Sequence, residues 1–462
     1  MQGFTYLLND INNNEIYLDL GYLNNMQNHL NINESKSNIE KSKKSEEKKL
    51  DSTKVVINDD STATQSYIID SQKKKKAGPF KIIEFLNIIG KHKNAADFIV
   101  ELKNGFFISG GCENILILYD AYFIEKIKIR ENSDWVFKVG EKLNSKEKED
   151  IIRLLCTTNQ EFDIIELYIK TLKTSKNPYQ LAKKTNINFV EMKENNIVLL
   201  GRGGASYYID LFNSKKQLTE NKITEKTYRG LIKINDKNVS LTSNKIIPDG
   251  EDMLLLYNTK KKTEPYKINN YSFIICVNNL VIMPREETKI NYKILICACK
   301  KYAKYQKNGI LLVNPQLGDN KNIENPFYEI ENFEVYCFCP ILIVENKNSN
   351  FENIDEEYRK NITIKDTDYF FVGGFDLDKR EGLIKLYKIV YGSKAWETKI
   401  EFIQDIIIQE NENEKFEDFD GAITCIIQSK ISGYILVTCY NGNVYLFTPP
   451  NMDLFIKKKY MM

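Results

Sequence analysis

The chain is poor in the residues that build catalytic and metal centres. Its 462 residues include two histidines, His29 and His92, two tryptophans, Trp135 and Trp396, and seven arginines. With two histidines, any Ser-His-Asp or Cys-His arrangement has to use one of them. Nine cysteines are present without a Cys-x-x-Cys pair, which removes the common zinc and dithiol patterns. Long apolar runs are lacking: the longest, Val335 to Val344, is about half of what a membrane span needs. Met1 to Asp10 has no basic segment leading into an apolar one. An odd cysteine count with no such leader fits a reducing compartment, so the expectation is an intracellular, cytoplasmic protein with no membrane partner. An excess charge of one sign is also missing. The 65 basic and 63 acidic side chains leave +2, so no global field draws nucleic acid or an anionic surface.

What the chain does have is 27 Tyr, 24 Phe and many β-branched residues, which suit strands better than helices. It divides near residue 79. Residues 1–79 contain Asn12 to Asn14, the Lys/Ser/Glu stretch Lys41 to Lys49 and the run Lys73, Lys74, Lys75 and Lys76, and carry too little apolar surface to offset the entropy of ordering. This reads as a largely disordered N-terminal tail, with one candidate ordered segment at 4–23. The four-lysine run reads as a solvated linker; the competing reading is a nuclear-localisation or nucleic-acid contact.

From Phe80 onward the pattern is short apolar runs separated by Asn, Gly, Asp and Lys turns, which predicts an all-β domain over 80–462. Within it a strand closing on an aromatic recurs, at Tyr119, Tyr168, Phe212, Tyr257, Tyr387 and Phe447, with a weaker copy at Val313. The intervals are 49, 44, 45, 56, 74 and 60 residues. A four-stranded unit needs roughly 40 to 50 residues, so the later units carry insertions. The acidic, Asn-rich segments Asn346 to Thr367 and Gln409 to Asp420 are the candidate loops. Seven repeats predict a seven-bladed β-propeller with four-stranded antiparallel blades. Either Phe80 to Ile89 or Leu454 to Tyr460 would supply the outer strand of the last blade.

Residues 92–120 carry His92, then Ala95-Ala96-Asp97-Phe98-Ile99, then Ser109-Gly110-Gly111, and close on Tyr119-Asp120. This resembles a WD repeat, and residues 421–447 resemble the same pattern. The resemblance implies a WD-repeat propeller and a buried His-Asp-Trp hydrogen-bond network. No repeat ends in Trp-Asp, so that network is expected in the first unit alone, as a structural bond from His92 to Asp120 or to backbone. A Kelch-type propeller is the nearest rival, with Gly110-Gly111, Gly203-Gly204 and Gly373-Gly374 as its double-glycine turns.

Other candidates take structural readings. Cys297 with Cys299, and Cys337 with Cys339, sit two apart on strands and read as small apolar packing. Gly201-Arg202-Gly203-Gly204 lacks the Lys-Ser/Thr of a phosphate loop and reads as a tight turn. Asp376, Asp378, Lys379, Arg380 and Glu381 read as a charged hairpin tip. No catalytic, cofactor-binding or metal residues are assigned. The function expected is a non-catalytic protein–protein scaffold with binding partners along its rims. The alternatives are a propeller enzyme with a site at the channel mouth and a nucleic-acid-associated propeller using the Lys-rich tail, the latter disfavoured by the balanced charge.

Overall fold

The structure is a computed structural model describing residues 82–129, 136–141, 151–158, 162–179, 186–191, 196–201, 206–210, 221–224, 230–235, 238–242, 254–258, 266–268, 271–273, 280–283, 294–301, 307–313, 327–346, 361–392, 397–406 and 421–451. The chain divides into two units, Met1–Gly78 and Pro79–Met462. The tail, its segment at 4–23 and the Lys73 to Lys76 run lie outside the described residues.

The first strand, β1 (Phe85–Lys91), pairs with the last one in the chain. Between them the strands group in sequence order. Sheet I is β2 (Ala96–Glu101), β3 (Phe107–Gly111), β4 (Leu116–Tyr119) and β5 (Glu125–Ile129). Sheet II is β6 (Val136–Glu141), β7 (Ile151–Thr158), β8 (Phe162–Tyr168) and β9 (Lys173–Tyr179). Sheet III is β10 (Asn186–Glu191), β11 (Asn196–Gly201), β12 (Ser206–Asp210) and β13 (Asn221–Thr224). Sheet IV is β14 (Gly230–Asn235), β15 (Asn238–Thr242), β16 (Leu254–Asn258) and β17 (Tyr266–Ile268). Sheet V holds β18 (Tyr271–Phe273), β19 (Leu280–Met283), β20 (Ile294–Lys301), β21 (Lys307–Val313) and β22 (Phe327–Glu329). Here β18 and β19 share one edge of β20 and act as one interrupted first strand. Sheet VI is β23 (Phe333–Asn346), β24 (Ile362–Asp376), β25 (Glu381–Val390) and β26 (Lys399–Asp405). Sheet VII is β27 (Ile423–Gln428), β28 (Ile435–Cys439) and β29 (Asn443–Phe447), completed by β1. All described pairings are antiparallel.

In sheets I, VI and VII the apolar runs are continuous because both faces are covered. In β4, Leu116 and Leu118 point into the layer shared with Leu154, Ile165 and Leu167 of sheet II. The alternate residues Ile117 and Tyr119 point into the layer shared with Leu436, Val444 and Leu446 of sheet VII. Each fully buried side chain of this kind stabilises by about 1.5–3 kcal/mol relative to exposure. The run Val335 to Val344 is long for the same reason: β23 packs against sheet V on one face and sheet VII on the other. Among the described residues no helix is long and apolar enough to cross a membrane.

The first strands of successive sheets touch in order, β2 with β6, then β10, β14, β19, β23 and β27, and β27 returns to β2. The arrangement is propeller-like. Of the two segments expected to complete the last sheet, the N-terminal one does so: β1 pairs with β29 from Phe85↔Phe447 to Lys91↔Asn443. The clasp continues beyond the strand, with Thr448 N donating to Glu84 O at 2.9 Å and Asn451 N to Ile82 O at 2.9 Å. Leu454 to Tyr460 lies outside the described residues.

Two expectations are corrected here. Gly110-Gly111 and Gly373-Gly374 are not turns. They end β3 and lie within β24, each pair facing a register shift in the first strand of its sheet. A Cβ at Gly110 would meet Phe98 and Leu116 at 2.6 and 2.7 Å, and one at Gly111 would meet Asp97 N at 2.6 Å. The pair is therefore required by close packing within the sheet rather than by turn geometry. The expected loop Asn346 to Thr367 is also too wide, because β24 begins at Ile362.

Candidate functional site

Sheet I carries a buried polar chain. His92 follows β1 and is 1% exposed. Its Nδ1 pairs with Glu113 Oε1 in the β3–β4 turn, and its Nε2 lies 2.7 Å from Ser109 Oγ on β3. Ser109 Oγ in turn lies 2.9 Å from the hydroxyl of Tyr119 at the end of β4. Lys93 N donates to the other Glu113 oxygen at 3.3 Å. With both ring nitrogens engaged under cover, the imidazole ties the β1–β2 connection to β3 and to the β3–β4 turn. Burial pushes the Tyr119 phenol well above its usual range.

His92 is thus in a hydrogen-bond network, but Asp120 is not its partner. Asp120 sits at the other end of β4. Its Oδ1 accepts from Tyr122 N and Ile124 N, both at 2.9 Å, and its Oδ2 meets Lys126 Nζ at 2.7 Å. Since β4 runs from the Glu113 turn toward the Asp120 turn, only Glu113 is at the His92 end. Asp120 fixes the β4–β5 turn as an Asx turn. Sequence reasoning missed Glu113 because the family pattern drew attention to the acid after the closing aromatic. The usable signal was an acid in the turn that follows Ser109-Gly110-Gly111.

The junction of sheets VII and I is held by polar groups as well. Thr424 Oγ1 donates to Ala96 O and lies 2.8 Å from Thr438 Oγ1. At the opposite end of these strands, Glu101 accepts from Ser429 Oγ at 2.6 Å and Lys430 N at 2.8 Å. Burial nevertheless raises the Glu101 carboxyl above its ordinary value. Gly442, at φ +87°, lets the β28–β29 turn lie under His92, whose N donates to Gly442 O at 2.8 Å.

One carboxylate stands apart. Asp97 is the extra residue of a β-bulge, because Ala96 pairs with Gly111 and Phe98 with Gly110. Its Oδ2 accepts from Cys112 Sγ at 3.2 Å. Burial pushes its carboxyl up to about 6 against the lowering pull of that bond and of His92. The same burial and the Asp97 charge hold the Cys112 thiol well above its usual range.

The remaining candidates fall where packing puts them. Cys337 and Cys339 are buried in one cluster between sheets VI and VII. Asp376 caps the β24–β25 turn, its Oδ1 accepting from Asp378 N and Lys379 N at 3.0 Å. Arg202 to Gly204 lies outside the described residues. Among the described residues no group of three or more His, Cys, Asp or Glu is placed to hold a metal ion.

No family model matches the chain, and no curated protein matches it. A chain in the crystal structure of the mitotic checkpoint complex is a structural neighbour at a TM-score of 0.47 and 9% identity, covering 86% of this chain and 99% of that one.

Proposed function

We propose that residues 82–451 form a closed seven-bladed β-propeller of the WD-repeat kind and that it works as a non-catalytic, intracellular scaffold for protein partners. The observation carrying this reading is the cyclic order of contacts, in which the first strand of each sheet meets the next and β27 meets β2. A ring of that kind presents two rims of turns around a narrow axis, a geometry that receives peptides or subunits on several faces. The engagement of His92 by Glu113 and Ser109 supports a structural role for the chain's one described histidine.

The test is affinity capture from native lysate with the full chain and with a chain beginning at Phe80. Stoichiometric partners retained by both support the scaffold. A monomer without partners turns attention to catalysis at the channel mouth. Loss of every partner with residues 1–79, together with steeply salt-dependent binding to nucleic acid, supports the tail-driven alternative.

A further inference from the structure

Register shifts recur near the N-terminal ends of the first strands in five sheets. The residue left over is Asp97 in sheet I, Phe137 in sheet II, Ile187 in sheet III, Tyr336 in sheet VI and Thr424 in sheet VII. A bulge takes its extra residue out of the ladder and re-aims it. Because the first strands touch one another in cyclic order, these residues recur at one register position around the same end of the ring.

Two of them are tied to neighbouring groups: Thr424 Oγ1 donates to Ala96 O, and the Tyr336 hydroxyl donates to Glu334 Oε2 at 2.7 Å. Asp97 is the carboxylate of the set. Three other acids of sheet I and its turns hold strong donors. Glu113 holds His92 and a backbone N–H, Asp120 two backbone N–H groups and Lys126, and Glu101 a hydroxyl and a backbone N–H. Asp97, partly covered, has a thiol as its hydrogen-bond donor. A thiol is a weak donor, and a covered carboxylate with so little compensation is stabilised by an incoming cation.

Resting on the interaction-platform reading, we infer that this rim recognises a peptide segment of a protein partner and that Asp97 receives its basic side chain, Arg or Lys. A guanidinium reaches both carboxylate oxygens at once and adds charge-assisted bonds that the thiol cannot supply. Asn94 on the adjoining connection, whose Nδ2 donates to Cys112 O at 3.0 Å, fixes the Cys112 turn beside the carboxylate.

The experiment uses the full chain on immobilised degenerate nonapeptide pools that differ at the central residue: arginine, lysine, citrulline or glutamate. Retention on the arginine and lysine pools should exceed that on citrulline by about tenfold or more, the factor one charge-assisted pair supplies. Asp97→Asn should abolish the preference and Asp97→Glu should restore part of it, with circular dichroism confirming that both variants are folded. Equal retention on arginine and citrulline pools, or an undiminished preference in Asp97→Asn, overturns the inference. If lysate partners of the full chain remain on Asp97→Asn, this site fails while the scaffold reading stands.

Discussion

Gln428 closes its side-chain amide on the backbone of Leu342: its Oε1 accepts from Leu342 N at 2.7 Å and its Nε2 donates to Leu342 O at 3.0 Å. The same Nε2 donates to Gly433 O at 3.1 Å. Leu342 lies just past the register shift at Pro340 in β23, so a side chain of sheet VII acts as the missing ladder partner for sheet VI. Gln428→Ala leaves those groups unsatisfied and should cost about 2–3 kcal/mol. Gln428→Glu should cost more, since it turns an acceptor toward two carbonyls. Chemical denaturation midpoints check both.

Gly90 of β1 lies against the Tyr119 hydroxyl of β4, leaving no room for a Cβ. Gly90→Ala should destabilise by about 2–3 kcal/mol through overpacking. Adding Tyr119→Phe removes the nearest atom while losing the 2.9 Å bond to Ser109. The double variant should therefore lie closer to wild type than the sum of the two single changes, and a double-mutant cycle in urea measures the coupling.

Removing the imidazole of His92 strands two buried groups, Glu113 and Ser109. His92→Ala should cost about 3 kcal/mol. Asp120→Ala loses an Asx turn and an ion pair that is exposed at its lysine end and should cost about 1 kcal/mol. Equal losses for the two variants would contradict the assignment of Glu113, and not Asp120, as the partner of His92.

Asp97 gives a pH signature. Its carboxyl moves from 3.8 up to about 6 on folding, so between those values the folded chain holds a proton that the unfolded chain has released. Stability then falls as pH rises through that window, by about 2–3 kcal/mol in all. The facing groups are the Cys112 thiol, the His92 ring and the Tyr440 phenol. Relative to wild type, Asp97→Asn should gain stability from pH 4 to pH 7, read as a widening difference in thermal midpoint. Loss of stability at neutral pH would contradict it.

Much of the architecture was legible because a strand covered on both faces writes a continuous apolar run. The apolar runs Ile152 to Cys156, Ile294 to Cys297 and Tyr434 to Thr438 overlap β7, β20 and β28, the second strands counted along their sheets. The recurring aromatic marked the third strands because Tyr119, Tyr387 and Phe447 fill the spaces between sheets. The hydrogen-bond partners were not legible. Glu113 and Asp120 are both acids beside β4, and only the direction of that strand assigns one to His92 and the other to a turn. Gln428 and Leu342 are 86 residues apart, and no local pattern links them.

By itself the sequence determined the strand content, the repeat and the use of a terminal segment to complete the last sheet, since each follows from local periodicity and the need to cover apolar faces. Only the tertiary structure decided which segment does so, that the paired glycines face bulges rather than form turns, and that Asp97 is left with a thiol for a donor. Those outcomes depend on register and on groups brought together from distant parts of the chain, and a shift of one residue would change every partner.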